Sequence, residues 1–333
     1  MPGPEVSRPE QGRRYARSGI CGVGSRIRAC SKELTSVNAT VFLQQLINGM
    51  SLGSLYALLA IGYTMVYGIL RFINFAHSDI FMVGAYSAFF FIVIFRIPWP
   101  LAATLAVCFT ALVGMTIDRV AYRPVRDAPR ISALITAVGV SSFLENLGLV
   151  TVGARPKAFE SPKFMSRIFH IGDVTITGVE IWVPIITIGL LAVMMYIVYR
   201  TRIGMAMRSV STDIEATRLM GVDVDKVISY TFALGSALAA AGGILWACKY
   251  PKITPLMGVY PGWKAFTAAV VGGIGNIPGA MIGGFIIGLI EVMTVAFFPN
   301  LSGYRDGIIF LVLVVFLLVR PTGILGETLK EKV

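Results

Sequence analysis

The chain has 333 residues, of which 56% are hydrophobic and 14% charged, and its mean hydropathy is +0.75. Soluble domains average about 25% charged residues, so this composition excludes an ordinary soluble protein and predicts one membrane domain. The net charge is +11, but seven of the 29 basic residues lie in the first 38 positions. This basic excess indicates contact with a lipid bilayer and not with nucleic acid, because no basic face carries interleaved aromatic residues.

The N-terminal segment, residues 1–38, is rich in Arg, Gly, Ser and Pro and has no apolar periodicity. We predict that it is a disordered basic extension. It is not a signal peptide, because no apolar core with a small-residue cleavage site follows its first basic residues. The permease-like membrane domain is predicted at 39–326, and a short cytoplasmic tail at 327–333.

The rest of the chain consists mainly of apolar segments. A helix needs about 20 consecutive apolar residues to cross a membrane. They predict an all-α polytopic membrane protein with about eight or nine transmembrane segments, two of them broken or re-entrant. A small periplasmic hairpin loop is expected as well. The segments are 41–70, 80–97, 99–117, 131–150, 179–199, 227–250, 263–276, 279–298 and 304–319.

The first break in this apolar pattern is RFINFAHSDIF, residues 71–81, with polar groups at Asn74, His77 and Asp79. One interpretation is a membrane-edge loop whose polar groups meet water and cap the next helix. The other is a helix break on a transport path, because paired interruptions in two halves of a transporter mark such a path. The first interpretation is slightly favoured by the sequence.

The second break lies in AAVVGGIGNIPGAMIGG, residues 268–284. The apolar segment before it is too short to cross about 30 Å of hydrocarbon. Gly272, Gly273 and Gly275 then interrupt it, and exposed backbone at membrane depth is tolerated only against protein or a water-filled cavity. We therefore predict that these glycines lie on the translocation path.

Loop 118–130 contains four Arg against two Asp, and loop 200–226 contains five basic against four acidic residues. We predict that both loops and the tail after Arg320 lie in the cytoplasm, where basic residues concentrate. Nine crossings then put the N-terminus outside. Loop 151–178 also contains four basic residues, so the charge asymmetry is small. In that outer loop, apolar and polar residues alternate along FHIGDVTITG on both sides of Gly172-Asp173, and this pattern predicts a β-hairpin.

Glu145 and Asn146 lie deep within an apolar segment and are the best candidates for functional polar groups inside the membrane. The remaining ionisable residues near apolar segments lie close to segment ends, so most of them are expected at the membrane interface. These are Lys264, Glu291, Arg305 and Asp306.

The cytoplasmic loop 200–226 contains the spacing of a capping box, Thr212 and Glu215, which predicts a helix starting at Asp213. Gly221 would end this helix with a left-handed residue. Ala216, Leu219 and Met220 would share one face. The result is a helix of about two turns, roughly 12 Å long, between two membrane segments. It is either an ordinary interfacial helix or a lever gripped by a soluble subunit.

From about Phe42 to Gly326 the chain resembles the permease subunits of branched-chain amino-acid ABC transporters, of the LivH type. The matching stretches are NGMSLGSLYALLAIGYTMVYGI, INFAHSDIFMVGAY, DRVAYRPVR, EATRLMGV, KAFTAAVVGGIGNIPGAMIGG and RPTGILG. Two positions depart from the usual family pattern. The family usually has NFAHGE where this chain has Ser78 and Asp79, and it often has Gln in place of Glu145.

The resemblance implies an importer of leucine, isoleucine and valine that works with other proteins. The expected partners are a second, LivM-like permease, two ABC ATPase subunits and a periplasmic amino-acid-binding protein. The resemblance also implies that 211–224 contains the ABC coupling helix, with Glu215, Ala216 and Gly221 at matching positions. The sequence has no G-x-x-x-x-G-K-[ST], so ATP hydrolysis is expected in the partner subunits.

Two alternatives differ in mechanism or substrate. Urea and short-chain amide ABC permeases share the scaffold, and an ion-coupled secondary transporter would also use broken helices. An enzyme is not expected, because the two His, at 77 and 170, lie in different loops and give no catalytic constellation. The four Cys are scattered without the spacing of a disulfide framework or a zinc site, so we predict no metal and no cofactor.

Overall fold

The computed structural model describes residues 23–126, 128–171 and 174–326, which form a bundle of helices with two short pairs of strands. The helices are α1 Val23–Leu70, α2 His77–Val93, α3 Trp99–Ile117, α4 Arg130–Val152, α5 Gly178–Arg200, α6 Arg202–Thr212, α7 Ile214–Leu219, α8 Val224–Lys249, α9 Val259–Gly272, α10 Ile277–Phe297 and α11 Arg305–Val319. Short turns of other helix types cover Asp118–Tyr122, Arg123–Val125 and Pro299–Tyr304. The strands are β1 Lys157–Ala158, β2 Ile168–Ile171, β3 Val174–Thr177 and β4 Lys252–Ile253.

Seven helical segments of the described chain are long and apolar enough to cross a membrane. Of the nine predicted segments, two correspond to helices that are shorter than these seven segments: α2, with 17 residues, and α9, with 14. The polytopic all-α prediction is therefore confirmed. The seven segments are Thr40–Leu70, Trp99–Val125, Ile131–Val152, Gly178–Arg200, Val224–Lys249, Ile277–Phe297 and Pro299–Val319.

The two ends of the chain are covered only in part. Residues 1–22 of the predicted extension and the predicted tail, 327–333, lie outside the described residues. Helix α1 begins at Val23, inside the segment predicted to be disordered and well before the predicted domain boundary at residue 39.

The core of the bundle is built around α8 and the part of α1 from Thr40 to Leu70, both of which are largely buried. Helix α1 packs on α8, α9 and α10, and its contact with α10 is backbone to backbone. A side chain at Gly288 would overlap Gly53, and one at Gly284 would overlap Ala57. Small residues at these positions let the two helices approach closely, as is usual where helices pack inside a membrane.

Contacts at one end of the bundle join the segments that the sequence assigns to the cytoplasm. The Arg71 guanidinium, just after α1, donates to the Ser211 carbonyl over 2.9 Å. Gly68 of α1 lies against Gly275 in the α9–α10 turn, and that turn holds the chain after α11 through hydrogen bonds that include the Leu325 carbonyl. We refer to this end as the cytoplasmic end.

The opposite end contains the predicted hairpin. Strands β2 and β3 pair antiparallel from Ile168↔Thr177 to Ile171↔Val174, and the predicted turn residues Gly172-Asp173 lie outside the described residues. Gln44 of α1 both donates to and accepts from the backbone of Thr175, which ties the hairpin to the bundle. The register agrees with the predicted two-residue connection.

Candidate functional site

Helix α2 begins inside the bundle instead of at its end. The imidazole of His77, the first residue of α2, packs on Gly62 and lies 4.8 Å from the ring of Tyr63, centroid to centroid. Gly62 precedes the last residue of α1 by eight positions, which is about 12 Å along a helix. The segment 71–76 therefore folds back into the bundle, and Arg71 adopts a φ of +58° at the turn.

A further break, which was not predicted from the sequence and is distinct from the one at residues 268–284, lies before α9. Gly258 and Gly262, at the start of α9, pack directly on Ser78 in the first turn of α2. A side chain at either glycine would overlap Ser78, so the first turns of the two broken helices meet within the bundle. The signal that could have identified this break is GVYPG, residues 258–262, a Gly/Pro interruption in an apolar stretch.

The polar groups of the first break are buried, which contradicts the membrane-edge interpretation. Asn74, His77 and Asp79 are each 2% exposed or less. The Tyr122 hydroxyl donates to Asn74 Oδ1, and the Ser141 hydroxyl donates to Asp79 Oδ2, each over 2.5 Å. The reason is that α2 starts at His77, earlier than predicted, and carries these side chains into the bundle.

A cavity of about 170 Å³ lies where the two broken helices meet α4. Four aromatic side chains line it, and its side-chain oxygens belong to three hydroxyl groups and one carboxylate. Helix α4 is largely exposed, and Trp263 of α9 is half-exposed, so the cavity lies near the surface of the chain. The lining residues are Tyr63, Phe75, Ser78, Val138, Ser141, Glu145, Val259, Gly262, Trp263 and Phe266.

Glu145 differs from the other acidic residues of the membrane helices. Asp79 accepts a hydrogen bond from a serine, and Asp118 and Glu291 each pair with a basic side chain. Glu145 has no hydrogen-bond or ion-pair partner among the described residues, although its side chain is half-buried and lines the cavity. An uncompensated carboxylate at membrane depth is costly, so this position indicates a function.

The structure separates the predicted path residues into three places. Asn74, His77, Asp79 and Glu145 surround the meeting point of α2, α4 and α9, and Asn146 is on the exposed face of α4. The predicted glycines lie instead at the α9–α10 turn, about 15 Å along α9 from Gly262.

The glycines of that turn have the tight backbone that the sequence predicts. Gly273 and Gly275 adopt φ values of +113° and +94°, which favour glycine. Gly272 packs on Gly279 of α10, and Gly273 packs on Gly326 in the segment after α11. They form a joint at the cytoplasmic end and do not line the cavity.

A helix lies where the coupling helix is predicted, but its N-terminus differs from the prediction. Helix α7 starts at Ile214, and its N-cap is Asp213, whose Oδ1 accepts a hydrogen bond from the Ala216 N–H over 3.0 Å. Thr212 instead ends α6, and its hydroxyl donates to the Arg208 carbonyl. The predicted Thr212–Glu215 capping box is therefore wrong, because α6 already occupies the residues up to Thr212.

The C-terminus of α7 confirms the prediction for Gly221, which has a φ of +82°. The Gly221 N–H donates to the Arg218 carbonyl, and the Val222 N–H donates to the Thr217 carbonyl, which is the pattern of a Schellman motif. The side chains of Leu219 and Met220 are 88% and 82% exposed. A helix of six residues, about 9 Å long, thus presents apolar side chains at the cytoplasmic end.

A network of charges joins the start of α8 to the loop after α3. Arg126 pairs with the fully buried Asp118 and also with Asp225, which pairs in turn with Arg123. Ser229 of α8 donates to the second oxygen of Asp118 over 2.6 Å. Because Tyr122 lies in the same loop and holds Asn74, this network connects the α7–α8 region to the first helix break.

Asp223 caps α8 in the same region. Its Oδ1 accepts a hydrogen bond from the Lys226 N–H, and its other oxygen lies 3.0 Å from the Lys226 ammonium. The hydrogen bonds from Lys226 hold the pKa of Asp223 below its ordinary value. Asp223 therefore stays ionised, and a negative charge there stabilises the N-terminus of α8.

The ionisable residues near segment ends, Lys264, Glu291, Arg305 and Asp306, form one cluster, and two of them are buried in the protein. Their expected position at the membrane interface stays a prediction. Lys264 and Glu291 are 4% and 6% exposed. The Lys264 ammonium lies 2.6 Å from Glu291 Oε1 and 2.8 Å from Asp306 Oδ1, and the Tyr56 hydroxyl donates to Glu291 Oε2. The cluster links α1, α9, α10 and α11 and borders a larger cavity of about 750 Å³ at the end opposite the cytoplasmic one.

We expect Lys264→Met to destabilise the protein strongly, because it leaves the buried Glu291 with only the half-exposed Arg305, 3.9 Å away, as its cation. Breaking a buried ion pair on one side costs about 3–5 kcal/mol. The double substitution Lys264→Met with Glu291→Leu should recover most of this loss. The measurement is the thermal midpoint of the purified protein in detergent. A double variant no more stable than Lys264→Met alone would contradict this explanation.

Comparison with known proteins places the chain in a family. A protein-family model described as "Branched-chain amino acid transport system / permease component" matches residues 45–317. The chain belongs to this family. No solved structure matches it.

Relatives of known name cover nearly the whole chain. It is 43% identical over 306 residues to the high-affinity branched-chain amino acid transport system permease protein LivH of Escherichia coli, covering 88% of this chain and 98% of LivH. It is 41% identical over 307 residues to the corresponding permease protein BraD of Pseudomonas aeruginosa, with the same coverage of both chains. A probable LivH of Methanocaldococcus jannaschii is 29% identical over 84% of this chain and 90% of its own length.

Proposed function

We propose that this chain is the membrane permease subunit of an ABC importer of branched-chain amino acids. The observation that supports this most directly is α7, a capped helix at the cytoplasmic end whose Leu219 and Met220 have no cover within the described chain. Membership of the family and the names of its relatives supply the substrate class. The sequence lacks a phosphate-binding loop, so ATP hydrolysis is assigned to separate subunits.

The proposed assembly contains four kinds of subunit. A second, LivM-like permease pairs with this chain in the membrane, and two ABC ATPase subunits bind at the cytoplasmic end. An amino-acid-binding protein docks at the opposite end, near the hairpin of β2 and β3. In this assembly α7 is the coupling helix, and Ala216, Leu219 and Met220 enter a groove of the ATPase.

The proposed translocation path runs along the groove between α4 and α9. The exposed face of α4 carries Ser142 and Asn146, and Glu145 lines the cavity beside them. Polar groups facing hydrocarbon are costly, whereas between helices they form hydrogen bonds. We therefore assign this face to the second permease, which would complete the path that α2 and α9 begin.

The charge network at the cytoplasmic end provides a route by which movement of α7 would reach the path. Helix α7 is joined to α8 by a short connection, and Asp225 at the start of α8 is held by Arg126. Tyr122, in the same loop as Arg126, holds Asn74 at the break before α2. The turn at Gly272, Gly273 and Gly275 would act as the second joint, since it holds both α9 and the segment after α11.

The function is tested by uptake of radiolabelled leucine into proteoliposomes containing the complete complex. We expect uptake only when ATP is enclosed in the vesicles, on the side of the ATPase subunits, and the binding protein is supplied outside. A matched preparation whose ATPase subunits carry an inactive phosphate-binding lysine is the control. Uptake that persists in this control and collapses with an ionophore would instead identify an ion-coupled transporter.

The substrate is tested separately on the partner binding protein, where affinity for leucine, isoleucine and valine is compared with affinity for urea and acetamide. We expect measurable binding of the three amino acids alone. Preference for urea or an amide would reassign the substrate while leaving the permease assignment in place.

A further inference from the structure

We propose that the cavity between α2, α4 and α9 is a transient binding site for the ammonium group of the substrate, with Glu145 as its anionic ligand. This inference rests on the proposed function and deepens it, because it names the chemical group that the membrane path itself recognises. It makes Glu145 a specificity-determining residue within the permease, in addition to the selection made by the binding protein.

The Glu145 carboxylate is available to a ligand. Among the described residues it has neither a hydrogen bond nor an ion pair, and its side chain lines the cavity. Ser141, one helical turn earlier on the same wall, donates to Asp79, so a second carboxylate lies behind this wall. Asp79 is 1% exposed, and its Oδ1 has no partner in the described part of the chain. This wall of the cavity therefore lacks a positive charge.

The opposite wall of the cavity is aromatic. Tyr63, Phe75, Trp263 and Phe266 present aromatic rings to the cavity. Aromatic faces attract organic cations, and they also accept the aliphatic part of a branched amino acid. A hard divalent cation such as Ca²⁺ takes about six to eight oxygen ligands, usually with several carboxylates, whereas the lining of this cavity has one carboxylate, that of Glu145. The combination of one carboxylate and several aromatic rings favours an alkylammonium group.

The cavity lies at the meeting point of two helices that begin inside the bundle. The first turns of the two broken helices form part of its wall, so movement of either helix changes its shape. Trp263 is 47% exposed, which leaves one side of the cavity to be closed by the second permease. A site of this kind can bind the substrate weakly and release it as the helices move.

The test measures access to the cavity directly, in the assembled complex, with the native cysteines replaced. Val138→Cys places a thiol in the cavity wall, and its rate of reaction with a maleimide is recorded during ATP turnover. Two analogues of leucine each retain one of its charged groups. Isoamylamine has the ammonium without the carboxylate, and isocaproate has the carboxylate without the ammonium. We expect isoamylamine at saturating concentration to slow labelling about tenfold and isocaproate to leave it unchanged.

Variants of Glu145 separate charge from shape. Protection by isoamylamine should disappear in Glu145→Gln and be retained in part by Glu145→Asp. Equal protection by isocaproate, unchanged protection in Glu145→Gln, or protection by Na⁺ or K⁺ without an amine would overturn the proposal. So would a thiol that never reacts, because the cavity would then be closed to water.

Uptake by the same Glu145→Gln complex provides an independent measurement. We expect the maximal rate of leucine uptake to fall about tenfold, while stimulation of ATP hydrolysis by the loaded binding protein is retained. A complex that transports leucine but shows no amine-specific protection would refute the ammonium site alone. Absence of ATP-dependent uptake by the unaltered complex would refute the proposed function instead.

Discussion

Replacing Gly262 by leucine should reduce uptake of leucine by the complex to background. Gly262 lies in the first turn of α9, directly against Ser78 in the first turn of α2. Any side chain there would overlap Ser78, so the two broken helices must separate. Leucine would also enter the cavity whose wall Gly262 forms. Overpacking of this kind typically costs about 1–3 kcal/mol, which a membrane domain of this size can tolerate without unfolding.

The measurement compares uptake with the amount of assembled complex recovered from the membrane. Gly189→Leu is the matched control, because Gly189 of α5 has nothing within 4 Å of the position of an added Cβ. Gly262→Ala should give an intermediate rate, since it adds only the first atom of the overlap. Normal uptake by Gly262→Leu would mean that the meeting point of α2 and α9 is not part of the path.

Local signals in the sequence predicted the features that depend on neighbouring residues. The apolar segment predicted to begin at residue 99 starts as helix α3 at Trp99, with Pro100 in its first turn, a position that suits proline. Gly221 adopts the left-handed conformation predicted for it. The two strands of the outer hairpin pair in the predicted register. In each case the residues that decide the structure are close together in the chain.

The error at the N-terminus of α7 shows the limit of such signals. Thr212 and Asp213 are adjacent, and each can cap a helix. The choice depends on whether α6 reaches Thr212, and α6 has a low average hydrophobicity that hides it among loop residues. Asp213 becomes the cap because the helix before it ends there. A propensity scale applied to one residue cannot contain this information.

The parts of the site that could not be predicted depend on long-range packing. Lys264 and Glu291 are 27 positions apart, and nothing in their spacing indicates that α9 and α10 bury them as a pair. The break before α9 is marked in the sequence only by a Gly/Pro interruption, and it is the contacts of Gly258 and Gly262 with Ser78 that place it within the bundle. Likewise, the burial of Asn74 depends on Tyr122, which belongs to a different loop.

Gly221→Val should leave the complex assembled and abolish the stimulation of ATP hydrolysis by the loaded binding protein. Gly221 has a φ of +82°, and a β-branched residue in this conformation is a strong outlier. The expected local cost is about 1–2 kcal/mol, enough to unwind the end of a six-residue helix but too small to unfold a membrane domain. The Schellman bonds from Gly221 and Val222 would be lost, and Leu219 and Met220 would no longer be held in one orientation.

Gly221→Asn is the matched control, because asparagine tolerates the left-handed conformation and commonly ends helices. It should retain most of the stimulation. Ala216→Trp tests the same surface differently: Ala216 is exposed, so tryptophan disturbs nothing within the described chain and obstructs only a partner that covers it. Val120→Trp, exposed at the same end but away from α7, controls for the added bulk.

The two classes of variant separate the stability of α7 from its contact with the ATPase. If α7 is the coupling helix, Gly221→Val and Ala216→Trp both lose stimulation, whereas Gly221→Asn and Val120→Trp keep it. Basal ATP hydrolysis should be unchanged in all of them, since the catalytic sites belong to other subunits. Full stimulation in both Gly221→Val and Ala216→Trp would mean that 211–224 is a connector, and the contact with the ATPase would have to be sought elsewhere.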